Sequence, residues 1–410
     1  MKKTLNFFDA RDSVDSFVGA RIFETRIDFY FPLGIYFDPT NLELCRKKAF
    51  MILSVLSSAS ASNSLLDFSQ DFLGSSKDPF NSFLWVLQDF DKNGLYNLKT
   101  KELIKGYKGK INWKRTFDSV PFVLDGDLIY LEPVAEKSSS VDTIITMIHK
   151  YCLALSIEKI GWIFGLENTE TISELSESEK RYYEYVLLKE LRKTFDDRRK
   201  ILLSHLLRIV NGAIGDAQFA DHSELGTYKF SRVWEYMIQR VYGNLPLDEF
   251  FPSATWHLLD QGSFKSSELR PDTVLELDGV LYILDAKYYK FGVSRSGADS
   301  LPASDSIQKQ ITYGDHAALK FSRRFSKGIR NAFVVPFCGS EGINIEYAGY
   351  ATAAWRETDR EDDMEYRKVH LLLLDTEYLI RKYQEKINNY ENTKYLADKI
   401  LKMDEVWTWA

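Results

Sequence analysis

Apolar residues recur along this chain in two periods, and the changes between them mark its elements. RIDFYFPLGIYF (26–37) and FVLDGDLIYLEPV (122–134) have the aromatic and branched content of strands, the second folding back at Asp125-Gly126. DTIITMIHKYCLALSIEKIGWIF (142–164) has the period of an amphipathic helix. Residues 171–210 are charge-dense, free of Gly and Pro, and repeat Leu175, Tyr182, Val186, Leu191, Leu203 and Leu206, which predicts one or two helices. NGAIGDAQFADHSELG (211–226) breaks that pattern as a loop. Beyond it the spacing predicts a helix over 228–242, a strand hairpin over 270–289 and a loop through GVSRSGADSLPASDS. A helix over 305–324, the strand NAFVVPF, the run HLLLLDTEYLI and a polar C-terminal helix follow. Helix, hairpin, helix, strand is an α/β order. The expected division is an N-terminal mixed α/β domain over 1–165, a helical connector over 166–215 and an α/β domain over 216–410.

The hairpin carries the candidate chemistry. Asp278-Gly279 suits a type I′ turn, which needs positive φ at both central residues. Counting outward, Leu277 faces Val280, Val274 faces Ile283 and Thr273 faces Leu284, so Asp272 falls opposite Asp285. Opposed residues on one face have Cβ atoms ~5 Å apart. Lys287, two residues beyond Asp285, projects from the same face. Two carboxylates that close repel unless a cation lies between them. Hard oxygen ligands with open positions suit Mg²⁺, which keeps several waters and takes one or two carboxylates. The plainer alternative is a surface hairpin whose acids pair with Lys287, Lys290 or Arg270.

Composition narrows the classes. With 410 residues, 45% hydrophobic and 27% charged, the chain is long enough for two or three domains with sizeable cores. A net charge of −6 argues against a globally basic nucleic-acid binder but leaves room for a local basic cleft. Three dispersed cysteines, Cys45, Cys152 and Cys338, without a CxxC, argue against a disulfide framework or cysteine-bound zinc and fit a reducing cytoplasm. MKKTLNFFDARD is a poor signal peptide, and the longest apolar run near the start, AFMILSVL, is far shorter than the ~20 residues that span a bilayer. A cytoplasmic protein with no membrane association is expected.

Pro271-Asp272 followed by Asp285-Ala286-Lys287 resembles the core motif of the PD-(D/E)xK nuclease superfamily. FSRVWEYMIQRVYGN (230–244), IQKQITYG (307–314), KGKINWKRTF (108–117) and the helix ending SIEKIGWIFG are similar to the LlaJI-type restriction endonuclease family. That family is related to McrC, the nuclease subunit of McrBC systems. The likeness runs from about residue 100 to 315, and the first hundred residues match only loosely. It implies a restriction-endonuclease-like core, a central mixed sheet flanked by helices, that cuts double-stranded DNA with one or two Mg²⁺ ions. Asp272 and Asp285 match the metal-binding acids, and Lys287 matches the lysine that handles the attacking water or the charge on phosphorus. Glu235, on the flank of the apolar stripe Phe230, Val233, Trp234, Met237, Ile238 and Val241, matches a further acid supplied by the preceding helix; alone it would read as a solvated acid. Gln310 matches the glutamine after the hairpin, where it would orient Lys287, a metal water or a phosphate; on its residues alone a satisfied core glutamine is an equal reading. Tyr313 reads as packing.

McrC-like nucleases work with a separate AAA+ GTPase. This chain has no GxxxxGK[ST] loop, so nucleotide-driven restriction would need an McrB-like motor in trans, docked by the N-terminal region, and a homodimer through the nuclease domains is a further expectation. LKFSRRFSKGIRN carries Lys320, Arg323, Arg324, Lys327 and Arg330, a candidate DNA-phosphate surface beside the nuclease site or else a solvated loop. Lys99, Lys101, Lys105, Lys108, Lys110, Lys114 and Arg115, interleaved with Tyr107 and Trp113, form a second basic stretch that could meet DNA or an acidic partner; the aromatics could equally be packing. The six histidines have no metal-ligand spacing. Two rival readings are a stand-alone Type II endonuclease needing no motor, and an activator subunit with a vestigial site.

Overall fold

The computed structural model describes residues 3–12, 16–61, 72–73, 80–96, 98–107, 110–118, 122–124, 127–129, 132–141, 143–166, 172–173, 175–212, 223–295, 300–321, 323–340, 342–353, 365–385 and 390–407. It is a mixed α/β protein that divides into two compact units, one over Lys77–Ala220 and the other over Lys2–Ser76 with Asp221–Ala410. These units are drawn differently from the expected 1–165, 166–215 and 216–410. The reason is a strand pairing across some two hundred residues: Val18–Ile22 pairs antiparallel with Ser223–Thr227, Gly19 against Gly226. The chain's first strands thereby fold with its C-terminal half.

In the unit over Lys77–Ala220, Leu98–Lys105 pairs with Val134–Val141, which also takes Lys110–Ile111. Phe122–Leu124 and Asp127–Ile129 pair as the hairpin expected there, and the Asp125-Gly126 turn itself lies outside the described residues. Helix Ile144–Ile160 opens with a reciprocal Thr143–Thr146 capping box. The charge-dense stretch forms two helices, Glu177–Lys193 and Asp197–Gly212, because Thr194 turns extended between them. Helix Phe80–Asn93, which the sequence pattern did not announce, packs on Ile144–Ile160 and Asp197–Gly212.

The other unit holds two five-stranded sheets. The first joins Thr4–Asp9, Arg26–Phe31, Val18–Ile22, Ser223–Thr227 and Phe72–Leu73 in that spatial order. The second is the sheet that positions the candidate site. Its strands are β1 (Thr273–Leu277), β2 (Val280–Ala286), β3 (Ile329–Phe337), β4 (Ile345–Ala351) and β5 (Val369–Asp375). Their order is β1-β2-β3-β5-β4. The β2–β3 and β3–β5 pairs are parallel, and the two edge pairs are antiparallel. Every residue of β2 and β3 is buried, as befits central strands covered on both faces. Helices α1 (Phe230–Tyr242), α2 (Ser304–Phe321), α3 (Thr376–Glu385) and α4 (Tyr390–Trp407) flank this sheet. Tyr313 and Ala317 of α2 pack with Val274, Leu281 and Ile283, so α2 covers the face from which Asp285 also projects. Among the described residues, no helix is long and apolar enough to cross a membrane.

Candidate active site

The hairpin has the counted register. Leu277 pairs with Val280, and successive pairs run to Thr273 with Leu284. Asp278 and Gly279 both take positive φ, 52° and 85°, as a type I′ turn requires. Beyond Thr273 the backbone ladder stops and the Asp272 side chain takes over: its Oδ2 accepts the Ala286 N–H at 2.8 Å. This holds Asp272 against Asp285. Lys287 Nζ lies 2.7 Å from Asp285 Oδ2, with 19% of the lysine side chain and 5% of the aspartate side chain exposed. The acids are thus not solvated on a surface hairpin. The salt bridge of the plainer alternative does form, but within a mostly buried cluster.

Electrostatics makes the cluster a poor place for unbalanced charge. The Asp272 carboxyl is pushed well above the usual carboxylate range, by burial first and then by Asp285 and Glu235. Glu235, half-buried on the flank of α1, is raised by burial and by Asp285, against the pull of Lys287, Arg232 and Lys309. For Lys287, burial is the largest influence and lowers its pKa, but Asp285, with Asp272 and Tyr289, outweighs it and the net direction is up. Three carboxyl groups therefore face one ammonium.

Gln310 is fully buried, on the inward side of α2 as the helical period implies. Its Nε2 donates to the Ile283 carbonyl at 2.7 Å, two residues before Asp285, while its Oε1 has no protein partner. The glutamine thus holds the strand that carries Asp285 rather than touching Lys287. Tyr313, read as packing, is buried, yet its hydroxyl also donates to the Arg270 carbonyl at 2.7 Å and fixes the approach to Asp272. The Val334 carbonyl accepts both the Lys287 N–H at 2.9 Å and the Trp234 indole N–H at 3.2 Å, tying β3 to β2 and α1.

The basic stretch after α2 lies elsewhere. Lys327 N donates to Gly279 O, and Leu281 N donates to Gly328 O, so this segment packs at the turn end of the hairpin. From Val280 to Asp285 is roughly 17 Å of strand, so the stretch is not beside the carboxylates. Arg323 and Lys327 are exposed. Lys320 reaches the Glu249 carbonyl, and Arg324 pairs with the Glu249 carboxylate at 2.9 Å. Arg330 is only 5% exposed and is paired with Glu365, which removes it from any phosphate surface. The cations that do act on the cluster are Arg232, one helical turn before Glu235, and Lys309, beside Gln310. The sequence held a signal for both: a cation at i−3 and i−1 of two candidate site residues. In the second basic stretch, Tyr107 and Trp113 are exposed, with the Trp113 ring stacked on Phe117, while the side chains of Lys99, Lys101 and Lys108 lie outside the described residues.

Among the described residues, no three His, Cys, Asp or Glu groups are drawn together as a ready-made metal cage. The donor set nonetheless fits a hard cation: two mutually repelling carboxyl groups with Glu235 acting on both and a single lysine in balance.

The model of the family described as LlaJI restriction endonuclease matches residues 17–347. The chain belongs to the LlaJI restriction endonuclease family. It is 27% identical over 265 residues to a Bacillus subtilis (strain 168) protein described as Type II restriction enzyme BsuMI component YdjA. That match covers 60% of this chain and 56% of the relative, so the chain spans only about half of the relative's length. A solved structure, the refined half-complex from a tetradecameric assembly of Thermococcus gammatolerans McrB AAA+ hexamers with bound McrC, is 14% identical. It covers 91% of this chain and 82% of that chain at a TM-score of 0.33, too distant a likeness to argue from.

Proposed function

We propose that the chain is the DNA endonuclease subunit of a restriction system that defends against foreign DNA, and that the Asp272–Asp285–Lys287 cluster of a PD-(D/E)xK core is its active site. The observation that carries this reading is the convergence of Asp272, Asp285, Lys287 and Glu235 on one mostly buried point in a member of a restriction endonuclease family.

Asp272 and Asp285, with Glu235 behind them, would hold one or two Mg²⁺ ions. Such an ion lowers the pKa of bound water and polarises a phosphoryl oxygen. The chain's own residues do the rest. Lys287, held charged by Asp285, faces the scissile phosphate, where its ammonium orients the attacking water and balances the charge that builds on phosphorus. Asp285 anchors that ammonium. Ala286 N–H holds one oxygen of the Asp272 carboxylate. Glu235 supplies the remaining negative charge at the rim. Gln310 keeps the Asp285 strand in place through Ile283.

The resemblance to McrC-like nucleases supports a further step: cleavage with a separate AAA+ GTPase that this chain binds and stimulates. The B. subtilis relative is itself described as a component of a Type II restriction enzyme, which supports a multi-subunit arrangement. One such site cuts one strand, so cutting a duplex calls for a second copy of the nuclease domain. The relative's Type II description favours a second reading, a Type II endonuclease that needs no motor.

The test is cleavage of methylated and unmethylated plasmid by wild type and Asp285→Ala, with Mg²⁺ or EDTA, with and without the AAA+ protein and GTP or ATP. Cleavage that needs Mg²⁺, Asp285, motor and nucleotide together is expected. Cleavage by the chain alone selects the Type II reading. No cutting under any condition, with the motor's nucleotide hydrolysis still stimulated, would leave an activator with a vestigial site.

A further inference from the structure

Strand β2 ends at Ala286, and just beyond it the Tyr289 N–H donates to the Lys287 carbonyl at 3.0 Å, a tight turn centred on Tyr288. Lys287 turns to the acids. The Tyr288 ring lies against α1, 5.3 Å from the Phe230 ring and 6.3 Å from the Trp234 ring. Trp234 immediately precedes Glu235. One ring, on the residue next to the lysine, therefore packs against the helix that carries the outer acid.

The Tyr288 hydroxyl has a distant partner. It accepts the backbone N–H of Leu33 at 2.7 Å, across 255 residues of chain. The Leu33 segment is itself pinned. Its carbonyl accepts the Thr376 hydroxyl at 2.8 Å, at the start of α3. Gly34 takes φ +82°, and a Cβ there would stand 2.4 Å from Thr376 Oγ1 and 2.5 Å from the Phe337 carbonyl. Lys48 adds a clasp, donating to the Tyr36 carbonyl and to Glu377 at 2.7 Å each. The segment after Phe31 is thus pressed onto the ends of β3 and β5, and the Leu33–Tyr288 bond ties it to the residue next to Lys287.

We propose that Tyr288 is a positioning residue that braces Lys287 and the Glu235 helix against the Leu33 segment, so that the N-terminal sheet forms part of the catalytic frame. The inference rests on the nuclease reading for its kinetic consequence and on geometry alone for the coupling. It assigns residues 31–37 a role in aligning the site, separate from any role in holding a partner.

Tyr288→Phe keeps the ring and removes the acceptor; Leu33 N–H then has no partner. The full chain is assayed for single-turnover plasmid cleavage, with the AAA+ protein and nucleotide where cleavage needs them. Amide hydrogen exchange is followed in parallel. The expected result is a fall in rate on the order of tenfold to a hundredfold, since small misplacements of catalytic groups cost that much. DNA affinity should stay within about twofold, because a bracing residue acts on rate rather than on binding. Exchange should rise together over residues 31–36 and 285–289. A purely structural tyrosine would lower the melting temperature while the rate per folded molecule and exchange over 285–289 stayed at wild type, and that result overturns the proposal. If wild type cuts nothing under any condition, the nuclease reading fails separately. The brace is then decided by exchange: a coupled rise upholds it, and an unchanged 285–289 removes it.

Discussion

Lys287 Nζ sits 2.7 Å from Asp285 Oδ2, and the same carboxyl group acts on Asp272. The lysine is therefore the ion-pair partner of Asp285 in a mostly buried place, as well as a candidate participant in the reaction. Removing it separates these roles. Lys287→Met leaves a buried carboxylate without its partner, a change that costs on the order of a few kcal/mol. The double variant Asp285→Asn with Lys287→Met recovers much of that stability, because both charges are gone. Neither variant cuts DNA. Urea melts of the single and double variants, set beside plasmid cleavage, check this. If the double variant is as unstable as the single, the ion pair is not what holds this corner.

Asp272 gives a prediction of opposite sign. Its folded pKa is raised, by burial and by the charges of Asp285 and Glu235. Between the unfolded and folded values the native state binds more protons than the unfolded one, so stability falls as pH rises through that window. Asp272→Asn removes the like charge. It should raise the melting temperature near neutral pH without divalent cations, with the gain shrinking as pH falls toward the unfolded carboxylate pKa. Mg²⁺ should stabilise wild type and not this variant. Thermal melts over a pH series with Mg²⁺ or EDTA measure both, and an Asn variant less stable than wild type at neutral pH contradicts the repulsion argument.

Gln310 tests whether the buried amide works through the strand. With Nε2 on the Ile283 carbonyl, Gln310→Leu strands that acceptor and costs about 1–3 kcal/mol. Gln310→Glu should be worse at neutral pH, since it loses the donor and adds a carboxylate near an acidic cluster. Both should lower the cleavage rate with DNA affinity little changed. A variant that binds DNA weakly and cuts at the wild-type rate once saturated would place Gln310 on the substrate instead.

The hairpin register and the meeting of Asp272, Asp285 and Lys287 were legible because their signals are local. A two-residue turn sets the register, and strand alternation then places Asp272, Asp285 and Lys287 with no knowledge of the rest of the chain. The helical period likewise put Glu235 on a flank and Gln310 inward. What stayed illegible is non-local. Gly19 against Gly226 and Leu33 against Tyr288 join residues more than two hundred apart, and nothing in either segment's pattern names its partner. The boundaries drawn at 165 and 215 differ from the compact units for that reason. The basic run from Lys320 to Arg330 could not be placed from sequence, because charge density alone does not say which end of a hairpin a loop will meet, nor that Arg330 has Glu365 to pair with.

Lys309 is the exposed cation whose field reaches Glu235 from α2. If DNA phosphate approaches over this rim, Lys309→Ala weakens binding about equally for all sequences and reduces the salt slope of log K by about one. The saturated cleavage rate should change little. Fluorescence anisotropy with labelled duplex over a salt series reads the slope, and an unchanged slope removes Lys309 from the DNA path.

His149, in the unit over Lys77–Ala220, predicts an acid limb of stability unrelated to the site. The ring is fully buried, and its Nδ1 accepts the Tyr96 N–H at 3.0 Å. That acceptor role needs a neutral ring, with the proton on Nε2, which has no partner. Burial lowers its pKa from 6.5 to about 4, with Asp89 opposing and Arg198 assisting. Between those values the unfolded state binds the proton and the native state does not, so stability falls as pH drops from 6.5 toward 4. At about 1.4 kcal/mol per pH unit, the loss by pH 5 is about 2 kcal/mol. His149→Asn keeps an acceptor near Nδ1 and cannot titrate. The gap between wild type and variant in urea-unfolding free energy should therefore narrow or invert in favour of the variant as pH falls from 7 to 5. Parallel pH dependences would mean that another group sets the acid limb and that His149 stays neutral without cost.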